Sequence, residues 1–153
     1  MDVREVRAVL PHRFPILLVD RVDQVEPGVS LVATKAVTVN EPCYDGLPDD
    51  ADHAYPSTLL VESWCQAAGV LAVQDRPNPD VLSAQVPLFG AISGLELPVP
   101  VYPGDVVRHH VRALKILSDA AVLRGESVVD DVAVMRVRQV VIALRPAASL
   151  TAP

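Results

Sequence analysis

The chain has 153 residues and a formal charge of −6; half of it is hydrophobic and 21% charged, which excludes a disordered chain. That length suits one domain, and the negative balance argues against nucleic acid, whose binding depends on clustered Lys and Arg. Aromatics at 4% leave Val, Leu and Ala to line the core and any pocket in it.

Taken in order, Val3, Val6, Val9 and Leu10 fall at helical spacing, so Asp2 to Leu10 reads as a short amphipathic helix ended by Pro11. Pro11-His12-Arg13-Phe14-Pro15 reads as a stiff, extended connector. Ile16 to Val25 and Val29 to Val39 read as strands joined by the turn Glu26-Pro27-Gly28. Asn40 to Tyr55 is a polar loop. Pro56 to Gln74 is a helix with both ends marked, Ser57 as a hydroxyl N-cap and Pro77 beyond the far end. Arg76 to Gln85 reads as a surface crossing. Val86 to Leu95, Val106 to Leu117, Ala120 to Val129 and Val132 to Leu144 follow as strands, with turns at Tyr102-Pro103-Gly104-Asp105, Ser118-Asp119 and Asp130-Asp131.

The helix after Pro56 is apolar on nearly every side, with Leu59, Leu60, Val61, Trp64, Ala67, Ala68, Val70 and Leu71. Such a helix is buried, and its apolar run is too short to span a membrane. Glu62 and Gln66 lie four apart and share one face. A carboxylate one turn into a buried helix is costly unless paired, solvated or at work. Antiparallel strands wrapped around that helix satisfy the element order, giving an α+β architecture. Cys43 and Cys65 suggest neither a disulfide framework nor metal spacing. The opening Met-Asp-Val-Arg-Glu lacks the layout of a signal peptide, so a cytoplasmic, soluble protein is expected, with no membrane partner.

Several segments together resemble the small bacterial 3-hydroxyacyl-(acyl carrier protein) dehydratases: Leu10 to Pro15, Leu17-Leu18-Val19-Asp20-Arg21-Val22, Val39-Asn40-Glu41-Pro42, Leu59 to Leu71, Phe89-Gly90 and Tyr102-Pro103-Gly104-Asp105. The resemblance implies a hotdog fold, about six antiparallel strands around one long helix. One domain would cover residues 1–146, with 147–153 a frayed tail, and such domains usually pair into dimers with a continuous sheet. It implies dehydration of a 3-hydroxyacyl thioester in fatty acid or polyketide assembly, carried on acyl carrier protein or coenzyme A, with no cofactor and no metal. In that family a loop His and the helix Glu of the other subunit divide the acid and base roles. Glu62 stands at the Glu position, and its burial is expected to raise its pKa. Substrate contacts would fall at Ser57, Thr58, Gln66, Leu47, Phe89 and Gly90, the helix-start N–H groups polarising the thioester carbonyl.

The chain departs from the family at the loop. Where the family reads Gly-His-Phe-Pro-Gly, this sequence has Gly46-Leu47-Pro48-Asp49-Asp50, and Leu47 cannot take a proton. Three accounts follow. The chain supplies Glu62 to a composite dimer whose partner hotdog subunit supplies His; or His53, displaced in the remodelled loop, restores the pair in a homodimer; or there is no dehydration, and the chain is a Glu62 thioesterase or a non-catalytic acyl-binding subunit. His12 reads as fixing the connector by hydrogen bonding, Gln66 as holding Glu62, and Trp64 as core or dimer packing. His109 and His110, adjacent on a strand, point to opposite faces and make a poor joint metal site. The strip Glu96-Leu97-Pro98-Val99-Pro100 lacks the basic residues with which the family meets its acidic carrier. Arg108, Arg112, Arg136, Arg138 and Arg145 remain to form a patch on the sheet.

Overall fold

The computed structural model describes residues 1–80, 82 and 85–149. Its elements are helix α1 (Val3–Val9), strands β1 (Arg21–Glu26) and β2 (Ser30–Ala36), helix α2 (Ser57–Val73), and strands β3 (Gln85–Glu96), β4 (Val106–Ile116), β5 (Ala120–Val129) and β6 (Val132–Pro146), with short 3-10 turns at Pro42–Tyr44 and Ala147–Ser149. The strands form one antiparallel sheet in the order β1-β2-β4-β5-β6-β3. α2 lies on its inner face, where Trp64, Ala67, Ala68 and Val70 meet Val107, Leu123, Met135, Val140 and Ile142 in one core. This is the hotdog arrangement, and it places Trp64 in the core of the protomer, fully buried. Among the described residues, no helix is long and apolar enough to cross a membrane.

Local chemistry accounts for the ends. Asp2 caps α1 through a capping box with Glu5. At the β1–β2 turn Val29 N–H donates to Glu26 C=O, with Gly28 at φ +71° supplying the left-handed step. Asp130 and Asp131 both take positive φ between β5 and β6, the geometry of a tight hairpin turn.

Several boundaries differ from the sequence reading. Pro11 to Pro15 is not extended throughout: Ile16 and Leu17 N–H both fold back onto Arg13 C=O, making a turn. β1 begins only at Arg21, because Ile16 and Leu18 give their backbone groups to the Gln66 side chain instead of to a strand. Ser57 is not the N-cap. Pro56 occupies that position, its carbonyl accepting from Leu59 and Leu60 N–H, and no side chain caps the helix. At the other terminus residues 147–149 form a turn with Ala147 buried, while 150–153 lie outside the described residues. Part of the expected surface crossing before Gln85 also lies outside them.

Two buried polar networks tie the layers together. His109, fully buried on β4, stands 2.8 Å from Ser63 Oγ of α2 through Nε2 and 2.7 Å from Ser127 Oγ of β5 through Nδ1. With both nitrogens engaged the ring needs no charge, and burial drives its pKa down to about 3. Lys35, 5% exposed, pairs with Glu41 at 2.8 Å, and Glu41 also accepts from Tyr55 O–H at 3.1 Å. Burial and Glu41 push the Tyr55 phenol far above its ordinary range.

Candidate active site

Glu62 sits on the second turn of α2, on the face turned toward the segment after α1. Its Oε1 accepts from Gln66 Nε2 at 2.8 Å. The same Gln66 nitrogen donates to Ile16 C=O at 2.6 Å, and Leu18 N–H donates to Gln66 Oε1 at 2.9 Å. Gln66 is 1% exposed, and each of its amide atoms is bonded to protein. It therefore holds Glu62 in place, as its helical spacing suggested, and has little left to offer a substrate.

The residue that sequence reasoning undervalued is His12. Its Nε2 stands 3.4 Å from Glu62 Oε1, and its Nδ1 is buried with no hydrogen-bond partner among the described residues. Burial lowers its pKa, with Glu62 pulling weakly the other way, so the neutral imidazole persists below the usual range. His12 does not fix the connector by ring hydrogen bonds as expected; the Arg13 guanidinium does so, donating to the carbonyls of Arg7, Leu10 and His12, and the His12 ring instead faces the carboxylate. No spacing rule could pair residues fifty apart; the segment Leu10 to Pro15 was itself the available signal.

His12, Glu62 and Gln66 line a cavity of about 220 Å³ with Leu10, Cys65, Gly69, Val86 and Phe89. The Glu62 side chain is 34% exposed there, neither sealed off nor fully in solvent. Burial, and secondarily the Glu62 charge, push the Cys65 thiol up to about 12, so it serves as apolar wall and not as a thiolate nucleophile. Pro87 also borders the opening.

The other expected site residues are not brought to this cavity within one protomer. Leu47 packs against the core. His53 stacks on Tyr44, ring centroids 6.0 Å apart, and its Nδ1 stands 2.8 Å from Ala51 C=O. Because a carbonyl only accepts, Nδ1 is the donor in this contact. Ser57 and Thr58 are exposed at the uncapped start of α2. Gly90 lies at the β3 bulge opposite β6 and does not border the cavity, unlike its neighbour Phe89.

A helix carboxylate in a mostly apolar cavity, inside a six-stranded antiparallel wrap, defines a hotdog protein with an acidic group at its pocket. The sequence narrows this further. A FabA-like domain model matches residues 10–138. The 3-hydroxyacyl-[acyl-carrier-protein] dehydratase FabZ of Campylobacter hominis is 39% identical over 132 residues, 86% of this chain and 89% of that protein. The FabZ of Zymomonas mobilis is 39% identical over 132 residues, 86% and 81% of the two chains. The chain thus belongs to the FabA-like dehydratase family. Among solved structures, the dehydratase heterocomplex ApeI:P from Xenorhabdus doucetiae superposes with a TM-score of 0.77 at 19% identity, covering 95% of this chain and 93% of that one, a likeness of fold.

Proposed function

We propose that this protein is a 3-hydroxyacyl-thioester dehydratase of fatty acid or polyketide biosynthesis whose Glu62 carries one half of the proton chemistry. In the reaction a base removes the proton from the carbon beside the thioester carbonyl. An acid protonates the 3-hydroxyl, the C–O bond breaks, and enoyl thioester and water leave. The observation that carries the reading is Glu62 itself: Gln66 holds Oε1, while the carboxyl borders a cavity walled largely by apolar side chains. As carboxylic acid it protonates the departing hydroxyl.

The base comes from a second hotdog subunit bearing the loop His that Leu47 replaces here, so the active unit is a composite dimer on an acyl carrier protein substrate. Support comes from the FabZ relatives, named for acyl-carrier-protein substrates, and from ApeI:P, named a dehydratase heterocomplex. The outer edge of β3 has no neighbour in the sheet order and exposes Leu88, Phe89, Ile92 and Leu95; a strand edge of this kind calls for a partner strand. A cytoplasmic setting accompanies this reading. His53 offers a second source of base in a homodimer, its Ala51 contact engaging Nδ1 and leaving Nε2 without a protein partner among the described residues.

The test is enoyl-thioester formation by the purified chain, alone and mixed with a His-bearing hotdog partner. Activity only in the mixture, lost by about 10²- to 10⁴-fold in Glu62→Gln, is the expected result. Activity of the pure chain that vanishes in His53→Ala selects the homodimer. Free thiol release without enoyl product makes the protein a thioesterase, and full activity in Glu62→Gln overturns every catalytic version.

A further inference from the structure

The outer face of the sheet carries a row of charge that the Glu62 chemistry does not use. Arg112 on β4 pairs directly with Arg124 on β5. The register shift between Leu123 and Gly125 sets Arg124 alongside Arg138 on β6. Gly94 of β3 then falls opposite Arg138, between the pairs Leu95–Val137 and Ser93–Gln139. Three arginines thus stand in line on adjacent strands. Like charges placed opposite each other destabilise a sheet, and the chain as a whole is acidic.

The neighbouring row shows what a self-compensated arrangement looks like. There Glu126 faces Arg136, which lies 3.7 Å from Glu96. Among the described residues no carboxylate lies within 4.0 Å of Arg112, Arg124 or Arg138. The row does not project from a flat surface either. It borders an open concavity of about 360 Å³ that the neighbouring row's Glu96, Glu126 and Arg136 also line, so four arginines face two carboxylates there, and its volume is within the size range of small-molecule sites. Gly94, at φ +60°, closes one end; a Cβ there would stand 2.7 Å from Arg138 Cβ and Nε. The missing side chain lets Arg138 lie across Gly94 toward β3, the far end of the row from Arg112.

We propose that this concavity binds a phosphorylated small molecule with at least two linked anionic groups, of the nucleoside diphosphate class. Guanidinium forks match phosphate oxygens two at a time. Arginines on three adjacent strands have backbones spanning about 10 Å, more than a single phosphate covers and within reach of a diphosphate ester. The site is separate from the Glu62 cavity, with which it shares no lining residue, and does not depend on the dehydratase reading.

The sole tryptophan reports on it. Trp64 Nε1–H donates to the carbonyl of His110, a residue bordering the concavity, and its ring lies beneath Gly125. Titrating the protein with ADP, with inorganic pyrophosphate and with citrate, while following Trp64 fluorescence and binding heat, tests the assignment. The expected result is saturable ADP or pyrophosphate binding that weakens with salt, loses about tenfold affinity in Arg124→Gln and again in Arg138→Gln, and persists in Glu62→Gln. ADP alone binding identifies the nucleotide as the source, and pyrophosphate binding equally well identifies the diphosphate. Citrate equalling both overturns the phosphate assignment. So does equal ADP affinity in the Arg112→Gln/Arg124→Gln/Arg138→Gln variant, or binding only to an acidic protein. Removing like charges should leave the melting temperature unchanged or higher; if one variant unfolds, the other single variants carry the comparison.

Discussion

His12 Nε2 and Glu62 Oε1 stand 3.4 Å apart, on segments fifty residues distant, at the wall of one cavity. Together with Gln66 Nε2 at 2.8 Å, the imidazole confines one carboxyl oxygen, and Oε2 has no hydrogen-bond partner among the described residues. His12 is in this view a positioning residue. His12→Leu should lower kcat by about 10- to 100-fold with little change in KM, since misplacement of a reacting group acts on the chemical step. His12→Gln should restore part of it. Steady-state kinetics of both variants check this.

Gln66→Leu should be costlier to the fold than to substrate binding. It strips the partners from Leu18 N–H, which is buried, and from Ile16 C=O, which lies nearer the surface; an orphaned buried group costs about 1–3 kcal/mol and a part-exposed one less. Urea denaturation should show a loss of about 2–4 kcal/mol, with Glu62 freed to move and kcat reduced.

Acid should weaken the fold through His109. The unfolded imidazole takes up its proton near 6.5, whereas burial holds the native one to about 3. Between those values the unfolded state binds more protons. The contribution of the neutral ring is therefore complete above 6.5 and is lost as pH falls through that window. Denaturation at falling pH should show a decline of roughly 1 kcal/mol per pH unit from this group. In a His109→Gln variant that share of the slope should vanish.

Glu41→Gln strands the nearly buried Lys35 ammonium, which Glu41 meets at 2.8 Å, and also disturbs the Tyr55 hydroxyl contact. Breaking one half of a buried pair costs about 3–5 kcal/mol. The Lys35→Met/Glu41→Gln double variant should recover much of that loss, and thermal melts of the three variants measure it.

Much of this protein was legible in the residues alone. Hydrophobic periodicity marked α2 and the four later strands to within a few positions, because each must bury one face or stripe whatever its neighbours are. The nearly all-apolar surface of α2 dictated that a sheet wrap it, and Glu62 drew notice as a carboxylate placed where it has to be compensated. Gln66 as its holder followed from helical spacing.

What tertiary structure decided is where the chain's own backbone is used by distant side chains. Ile16 to Asp20 has strand composition, yet Gln66 takes the backbone groups of Ile16 and Leu18, so β1 starts later. Ser57 looked like a cap, but Pro56 took that position in the folded turn. The partnership of His12 with Glu62, and the alignment of Arg112, Arg124 and Arg138, arise from packing and strand register. Sequence periodicity constrains which face a residue shows; it carries no information about which distant residue will lie across from it.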